Sequence, residues 1–349
     1  MPAMNQPQPE SNPEATKPRA TIDRRSLLIG GGALALVAAG AATLGQKRAS
    51  AAATRPLRVG RTGKGGYDSI MNAGKINNPD LRVQYSDFSS GHLQVEAFNG
   101  GSLDFGGVSE IPPVFAAASS VQSFRQIAIV NADVNNQVVL VPGKSEIRTL
   151  ADLKGKKVGY VRATTSQYFL IQMLASVGLT WSDIEPISLN VADGTAAFSR
   201  GSLDAWAIYG FPIQRALAND GARILKTALG FLSGNYLVAA HIDALKDPAL
   251  SKAIGEYLVL CKRAFAWQSQ HWEQWSEVLA KEIDVPLSYV QEQIRGRSAP
   301  TTLRPVSESA IISQQQVADV FFKAGLVPKR VDVRPLWDNR FNSVIEQVS

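Results

Sequence analysis

The sequence predicts an α/β protein with two lobes, each built on a mostly parallel sheet. Its 349 residues exceed the size at which one compact core usually stops growing, so two cores are expected. From Leu57 onward, short β-branched runs alternate with longer amphipathic segments, which is the pattern of strands joined by helices. A seven-residue segment from the first half of this region recurs in the second half, which favours two similar lobes.

The repeated segment runs from Phe98 to Asp104 as FNGGSLD and from Phe198 to Asp204 as FSRGSLD. In each copy the glycine before Ser-Leu-Asp would end a helix in the left-handed conformation that glycine adopts at low cost. The Leu-Asp pair would then begin a strand. The alternative is that a common helix-to-strand turn occurs twice by chance.

The remaining elements follow from hydrophobic periodicity. Strands are predicted at 57–60, 81–85, 127–130, 137–141, 157–161 and 187–189, and helices at 93–98, 166–177 and 194–198. Stretches with Gly and Pro at 140–145 and 232–237 are the candidate crossings between lobes. We therefore expect one lobe from residues 54–140 and 236–349, and the other from 141–235. After Pro248 the chain is predicted to be helical through Lys281, with Trp267, Trp272 and Trp275 packing in a late helical layer.

Composition excludes several classes of protein. Hydrophobic residues make up 45% and charged residues 19%, which fits neither a disordered polyelectrolyte nor a protein with many membrane spans. The formal net charge is +6, but the first 53 residues hold six bases and three acids, which leaves +3 for the remainder. With no basic run and no basic-aromatic interleaving, no nucleic-acid partner is expected. The single cysteine, Cys261, is expected to be a small buried hydrophobe.

Residues 1–53 have the three parts of a secretory signal peptide. Arg24-Arg25 precedes an apolar, Gly- and Ala-rich stretch, and small residues follow, with cleavage expected near Ala51 or Ala53. The arginine pair resembles a twin-arginine export signal, although Leu27 stands where that motif usually has Phe. The competing interpretation is an uncleaved membrane anchor. A cleaved signal predicts a mature protein in the periplasm.

Small and hydroxyl residues follow four of the predicted strands. In open α/β sheets ligands bind beyond the carboxyl ends of the strands, where helix N-termini offer amide donors and a partial positive charge to an anion. For any single cluster, helix capping is the simpler explanation, and only convergence on one cleft would make a site. The four clusters are Gly63–Gly66, Ser89–His92, Ala163–Ser166 and Ala192–Thr195, the last including Asp193.

Catalytic and metal-binding signatures are not found in the sequence. It has no Gly-x-Ser-x-Gly elbow, no His-Glu-x-x-His, no calcium loop and no dinucleotide fingerprint after a strand. His92, His241 and His271 lie far apart and have no acid or cysteine at metal-ligand spacing. We therefore expect no cofactor, no metal and no enzymatic activity.

Several stretches resemble the aliphatic-sulfonate and taurine-type substrate-binding proteins of ABC importers. The similarity extends from about Leu57 to Val333, and the order and spacing of its motifs are more specific than any one of them. The motifs are Phe88–Gly91, Gly101–Gly107, Ser109–Ala116, Leu150–Val158, Asp204–Ile208 and Val327–Val333.

The resemblance implies a type II periplasmic-binding fold, in which two α/β lobes with sheets flanked by helices hold a ligand in the cleft between them. It also implies an ABC permease as partner and a monomeric binding protein. The residues that it places in the cleft are Gly65, Gly66, Ser89, Ser90, Gly91, Ser109, Glu110, Thr164, Thr165, Ser166 and Trp206.

Two departures from the family pattern add candidates. Family members often have Trp-Asp-Pro where this chain has Tyr209-Gly210-Phe211-Pro212, which suggests a bulkier or more apolar ligand tail covered by Trp206, Tyr209 and Phe88. The Lys-Gly-Ser-Ser pattern common in the family after the fifth strand is replaced here by Arg162-Ala163-Thr164-Thr165. Arg162 would either form a bidentate pair with a sulfonate or carboxylate, pair with Glu110, or face water.

The function expected from these observations is capture of a small organosulfonate or related sulfur oxyanion for an ABC importer. Nitrate, bicarbonate and a thiamine-precursor pyrimidine are alternative ligands for the same fold. An exported enzyme with Glu110 as its acid or base is the alternative of another class, and a sensor that presents its closed form to a membrane receptor is a third.

Overall fold

The computed structural model describes residues 55–119 and 123–348. The predicted signal peptide at residues 1–53 lies outside the described residues. No helix in the described ranges is both long enough and apolar enough to span a bilayer.

The strands of the described residues form two sheets. One sheet has six strands in the order β11-β4-β10-β3-β1-β2, and the other has five in the order β7-β6-β8-β5-β9. The strands are β1 Leu57–Thr62, β2 Val83–Phe88, β3 Phe105–Ser109, β4 Phe124–Asn131, β5 Gln137–Val141, β6 Lys157–Tyr160, β7 Glu185–Ser188, β8 Ala205–Tyr209, β9 Arg223–Thr227, β10 Asn235–His241 and β11 Thr302–Arg304.

Helices connect and flank these strands. The α-helices are α1 Tyr67–Ala73, α2 Gly91–Asn99, α3 Ile111–Ala118, α4 Thr165–Ala175, α5 Val191–Ser199, α6 Pro212–Asn219, α7 Ile242–Lys246, α8 Pro248–Gln270, α9 Trp272–Ile283, α10 Leu287–Arg295, α11 Glu308–Lys323 and α12 Asn342–Glu346. Short 3-10 turns occur at Leu150–Leu153, Trp181–Asp183 and Arg334–Leu336. The predicted α/β class with two flanked sheets is confirmed, and the helical region expected after Pro248 is α8 and α9.

The two sheets share one topology. The strand orders β2-β1-β3-β10-β4 and β7-β6-β8-β5-β9 correspond position by position, with parallel pairing except at β10 and β5, which run antiparallel to both neighbours. In each sheet the antiparallel strand is the first one after the chain crosses from the other sheet, because β5 follows β4 and β10 follows β9. The polypeptide therefore crosses between the sheets twice. Strand β11 adds one antiparallel edge to the larger sheet.

The repeated segment adopts the same turn in both sheets. Gly101 has φ +67 and Gly201 has φ +73, the left-handed conformation expected from the sequence. The amide of Ser102 donates to Ala97 O at 3.0 Å, and the amide of Ser202 donates to Ala197 O at 2.9 Å. Strands β3 and β8 begin directly after the Leu-Asp pair, so the repeat reflects two equivalent structural units.

The division of the chain at residues 140 and 235 stays a prediction. Sheet membership suggests a different first boundary, because Gln137–Val141 hydrogen-bonds within the five-stranded sheet. Drawn by sheet, the crossings fall between Asn131 and Gln137 and between Thr227 and Asn235. Below, the first lobe means the part that carries the six-stranded sheet, and the second lobe means the part that carries the five-stranded sheet.

Candidate functional site

A cavity of about 540 Å³ lies where the carboxyl ends of strands from both sheets meet. The ends of β1, β2 and β3 contribute from the first lobe, and the ends of β6 and β8 contribute from the second. Residues of α8, α9, α10 and the segment before β11 complete the wall. This is the location expected for a ligand site in an open α/β sheet.

Nine of the fourteen residues predicted for the site line this cavity. The nine are Gly65, Gly66, Ser89, Ser90, Gly91, Ser109, Thr164, Thr165 and Tyr209. Five separate stretches of sequence therefore converge on one cavity, which isolated helix-capping motifs would not require.

Five predicted residues lie outside the lining, two of them because they belong to the interior of the second lobe. Trp206 is 1% exposed and packs on Phe198, with ring centroids 5.6 Å apart. The indole faces Gly194, where an added Cβ would lie 2.9 Å from Nε1. Ser166 is fully buried, and its hydroxyl accepts a hydrogen bond from Val161 N at 3.0 Å. Both residues hold the second lobe together.

Asp193 and Arg162 are exposed to solvent rather than turned into the cavity. Asn190 caps α5 by accepting from Asp193 N at 2.9 Å, and its amide group donates to the Asp193 carboxylate at 2.6 Å. The simpler capping explanation therefore applies at α5.

Glu110 is buried at the start of α3, at 3% exposure, and does not line the cavity. Its Oε2 accepts from the Ser233 hydroxyl at 2.6 Å, while Oε1 has no hydrogen-bond partner among the described residues. Burial raises the pKa of Glu110, and the hydrogen bond from Ser233 opposes that rise. Within the described ranges Glu110 forms no ion pair with Arg162.

Among the predicted site residues, three serine or threonine hydroxyls in the lining have no hydrogen-bond partner within the described part of the chain. They belong to Ser89 after β2, Ser109 at the end of β3, and Thr165 at the start of α4. Thr164, by contrast, donates to Val161 O at 2.7 Å and accepts from Ser166 N at 3.3 Å. Hydroxyl groups from both lobes are therefore available to donate to one oxyanion.

Two helix N-termini reinforce these donors. Ser90 is the N-cap residue of α2, and no side chain caps that end of the helix. Helix α4 begins at Thr165, and the Thr164 side chain caps it by accepting from Ser166 N at 3.3 Å, which leaves the other first-turn amides of this helix for a ligand. The unpaired amides and the partial positive charge of such an end attract an anion.

The loop between β1 and α1 is fastened to α9. Gly65 N donates to Glu282 Oε1 at 3.1 Å, and the Ser69 hydroxyl donates to the same oxygen at 2.7 Å. Gly65 has φ +76, and an added Cβ would lie 2.4 Å from Leu279 Cδ1. Gly65 therefore allows close packing of this wall, and its amide is already used.

The charged groups of the lining are Arg61, Arg297 and Asp133. Arg61 pairs with Asp68 at 2.5 Å and with Asp87 at 2.7 Å. Asp133 accepts from the amides of Asn135, Asn136 and Ser298 and from the Ser298 hydroxyl, at 2.7 to 3.1 Å. Arg297 has no ion pair among the described residues, so it is the cation of this lining that an anionic ligand can reach.

Aromatic side chains form much of the remaining wall. The set is Tyr67, Tyr209, Phe211, Tyr236, Phe265 and Trp275. Burial raises the pKa of the Tyr209 and Tyr236 phenols, so both are neutral at physiological pH. Of this set, the sequence analysis predicts only Tyr209 as a site residue, and it assigns Trp275 to packing. The helical spacing of Trp275 gave no sign that one edge of α9 faces a cavity.

Neutral amides complete the polar part of the wall. Gln137 Nε2 donates to the Tyr236 hydroxyl at 2.7 Å, while the amide oxygens of Gln137, Asn136 and Gln293 have no partner within the described residues. These groups can pair with a polar substituent on a ligand.

Burial raises the pKa of Cys261, which is 1% exposed and lies outside the lining. No metal-binding group of three or more ligands occurs in the described ranges.

Comparison with known proteins gives three relevant similarities. The NMT1/THI5 like family model matches residues 78–230. The putative aliphatic sulfonates-binding protein of Escherichia coli strain K12 is 35% identical over 257 residues, which cover 73% of this chain and 79% of that protein. The alkanesulfonate-binding protein SsuA from Xanthomonas axonopodis pv. citri bound to MOPS superposes with a TM-score of 0.74 at 28% identity, covering 81% of this chain and 98% of that one.

The same fold also occurs in the desulfurization enzyme DSZB, with a TM-score of 0.61 at 12% identity over 84% of this chain and 99% of that one. At that identity the likeness concerns the fold alone, whereas the similarity to the Escherichia coli protein extends through most of both sequences. The chain therefore belongs to the family of the aliphatic sulfonates-binding proteins.

Proposed function

We propose that this protein is the periplasmic substrate-binding component of an ABC importer and that it captures an organosulfonate or related sulfur oxyanion. The single observation that carries the proposal is the meeting of unpartnered hydroxyls from both lobes, Ser89 and Ser109 with Thr165, in one cavity. The names of the related proteins support the same class of ligand.

Binding follows from the geometry in two parts. The sulfonate oxygens accept hydrogen bonds from the three hydroxyls and from the amides at the starts of α2 and α4. A hydrogen bond to a charged acceptor contributes about 1.5–3 kcal/mol, so a few such bonds hold the head group without a dedicated charge cluster. The organic part lies against the aromatic wall.

Release and delivery depend on movement of the lobes. The two crossings, between Asn131 and Gln137 and between Thr227 and Asn235, are the segments about which the lobes would open and close. The closed form presents a composite face to the permease. We expect the mature protein to be a monomer, and light scattering during size-exclusion chromatography measures this directly.

The alternative of an exported enzyme would use Glu110 as its acid or base. Glu110 does not line the cavity, and neither does Cys261, so these two groups are not placed against a ligand there. Measuring both turnover and affinity in the native protein and in Glu110→Gln separates the possibilities. An enzyme converts its ligand and loses that turnover in the variant, whereas a binding protein releases its ligand unchanged and keeps its affinity in both.

Isothermal titration calorimetry with a ligand panel tests the proposed function. The panel contains alkane- and arylsulfonates, with nitrate, bicarbonate and a thiamine-precursor pyrimidine as the competing ligands. We expect a sulfonate to bind with a Kd below about 100 μM, which corresponds to about 5.5 kcal/mol of binding free energy. Binding of a competing ligand alone would reject the sulfonate assignment.

We further propose that residues 1–53 direct export by the twin-arginine route and are removed near Ala51 or Ala53. Mass spectrometry of the protein recovered from the periplasm should give an N-terminus near Thr54. An intact Met1 would contradict export by a cleaved signal. Replacing Arg24 and Arg25 together with lysine should retain the protein in the cytoplasm if the route is correct.

A further inference from the structure

The lining of the cavity also restricts the organic part of the ligand. We infer, on the basis of the proposed function, that this protein binds arylsulfonates in preference to short alkane- or aminoalkanesulfonates. Three properties of the cavity support this inference: its volume, its aromatic wall, and its lack of an available carboxylate.

The volume exceeds what a short sulfonate needs. About 540 Å³ lies within the range of roughly 300–1,000 Å³ found for pockets that enclose drug-sized ligands. A two-carbon sulfonate would leave most of the aromatic wall in contact with water, so its burial would contribute little.

The aromatic wall combines three parts of the fold. Tyr67 and Phe265 pack together with centroids 5.8 Å apart, Trp275 comes from α9, and Phe211 comes from the second lobe at the start of α6. A flat ring between these surfaces would pack against the first lobe and the second at once. Aromatic pairs with offset or edge-to-face geometry add about 0.5–1.5 kcal/mol beyond area burial.

The charges of the lining disfavour an amino group on the ligand. Asp133 is the acid of this lining, and four hydrogen bonds from the protein already occupy its carboxylate. Arg297 adds a cation without an ion pair in the described part of the chain. An ammonium group could reach unpartnered amide oxygens, but it would gain no ion pair with a free carboxylate and would share the cavity with Arg297, so an apolar substituent, which has no hydration to lose, is favoured over it.

Calorimetry with four probes tests this inference: 2-naphthalenesulfonate, benzenesulfonate, ethanesulfonate and taurine. We expect 2-naphthalenesulfonate to bind at least tenfold more tightly than ethanesulfonate and taurine to bind most weakly of the four. Equal or tighter binding of ethanesulfonate or taurine would overturn the inference while leaving the proposed function intact. Failure of all four to bind would overturn both.

Variants of the aromatic wall provide a second test with a matched control. Trp275→Ala and Phe211→Ala should each weaken 2-naphthalenesulfonate at least tenfold and change ethanesulfonate less than threefold. Trp272→Ala is the control, because Trp272 lies on the same helix outside the lining and packs against Arg295. Since Trp275 is 2% exposed and its loss can prevent folding, the half-buried Phe211 supplies the independent measurement. Unchanged 2-naphthalenesulfonate affinity in folded Phe211→Ala would contradict the aromatic wall.

Discussion

The two lobes share a topology and a turn, but they differ at one equivalent contact between a helix and a strand. The larger side chain comes from the helix in the first lobe and from the strand in the second. In the first lobe Gln94 of α2 faces Gly106 of β3, and an added Cβ at Gly106 would lie 2.2 Å from Gln94 Oε1. In the second lobe Gly194 of α5 faces Trp206 of β8. Gly106 and Trp206 occupy the same place in their sheets, since they pair with Gly60 of β1 and Gly159 of β6.

This exchange explains the different contributions of the two lobes to the cavity. Gln94 donates to the Thr62 hydroxyl at 2.6 Å, and both residues line the cavity, so the first lobe presents polar groups there. Trp206 instead fills the interior of the second lobe. One scaffold therefore supports either a polar site wall or an apolar core at the same position, depending on which partner is glycine.

Among the substitutions at these equivalent positions, Trp206→Ala should change the free energy of unfolding most. Removing a fully buried indole should lower the free energy of unfolding by about 3–5 kcal/mol, because the facing Gly194 has no side chain to fill the space. Urea denaturation measures the change. A variant that keeps its stability but loses sulfonate binding would instead place Trp206 in contact with the ligand.

A second difference concerns the aspartates that end the two repeated turns. Asp104 is 1% exposed and accepts from Arg58 Nη2 and Arg55 Nη2, each at 2.8 Å, whereas the exposed Asp204 accepts from Lys157 N at 2.8 Å. Asp104→Asn should lower the free energy of unfolding by about 2–3 kcal/mol, since it leaves two arginines without their carboxylate. The matched Asp204→Asn should lower it by less than about 0.5 kcal/mol. Equal costs in urea denaturation would contradict the distinction.

The pH dependence of Asp104 gives an independent check. Burial alone would raise the pKa of Asp104, but the hydrogen bonds from Arg55 and Arg58 outweigh burial and hold the pKa well below its usual value of 3.8. The folded state therefore binds this proton less readily than the unfolded state. The stabilisation is present above pH 3.8 and is lost as the pH falls below it, and Asp104→Asn should remove that loss.

A smaller effect is expected when the glycine of the first lobe gains a side chain. Gly106→Ala should lower the free energy of unfolding, measured by urea denaturation, by about 1–3 kcal/mol, because the new Cβ displaces the Gln94 amide from Thr62. The same substitution in a Gln94→Ala background should cost less, since the obstructing group is gone. Additive costs in this double-mutant cycle would show that the two positions do not interact.

The smallest effect concerns Glu110, whose counterpart after β8 is Gly210. Because burial raises the pKa of Glu110 above its usual 4.5, the folded state holds this proton more tightly than the unfolded state. Stability should therefore decrease as the pH rises through the interval from 4.5 to the raised pKa. Glu110→Gln should lack this decrease and be at least as stable as the native protein at pH 7, as measured by thermal unfolding. A variant much less stable at pH 7 would indicate that the charge is compensated.

Much of the fold could be predicted from local sequence, because strands and turns leave local patterns. Gly101 and Gly201 sit at left-handed positions, and the predicted strand 137–141 is β5. Strands β9, β10 and β11 were not predicted, because β9 and β11 lie at sheet edges and β10 begins within the stretch 232–237 that was interpreted as a crossing between lobes. A short edge strand shows little of the periodicity that identifies a strand.

Site residues at strand ends could be predicted from the sequence, whereas residues whose side-chain direction depends on packing could not. Ser89 and Thr165 were predicted from strand ends and Ser109 from the family resemblance, but their convergence on one cavity is visible only in the structure. Trp206 was predicted from the family resemblance, and Arg162 was predicted from its residue type. An aromatic or basic side chain in a motif can face either the core or the solvent, and only its partners in the fold, such as Gly194, decide between these.

The central claim is that hydroxyls from both lobes hold one sulfonate, and calorimetry on Ser89→Ala and Thr165→Ala tests it most directly. We predict that each variant weakens the tightest-binding sulfonate by about 10-fold or more, because each loses a hydrogen bond to a charged acceptor worth about 1.5–3 kcal/mol. The matched control Arg162→Ala, close in sequence to Thr165 and outside the cavity lining, should bind as the native protein does. Native affinity in folded Ser89→Ala and Thr165→Ala, or a large loss in Arg162→Ala alone, would contradict the account.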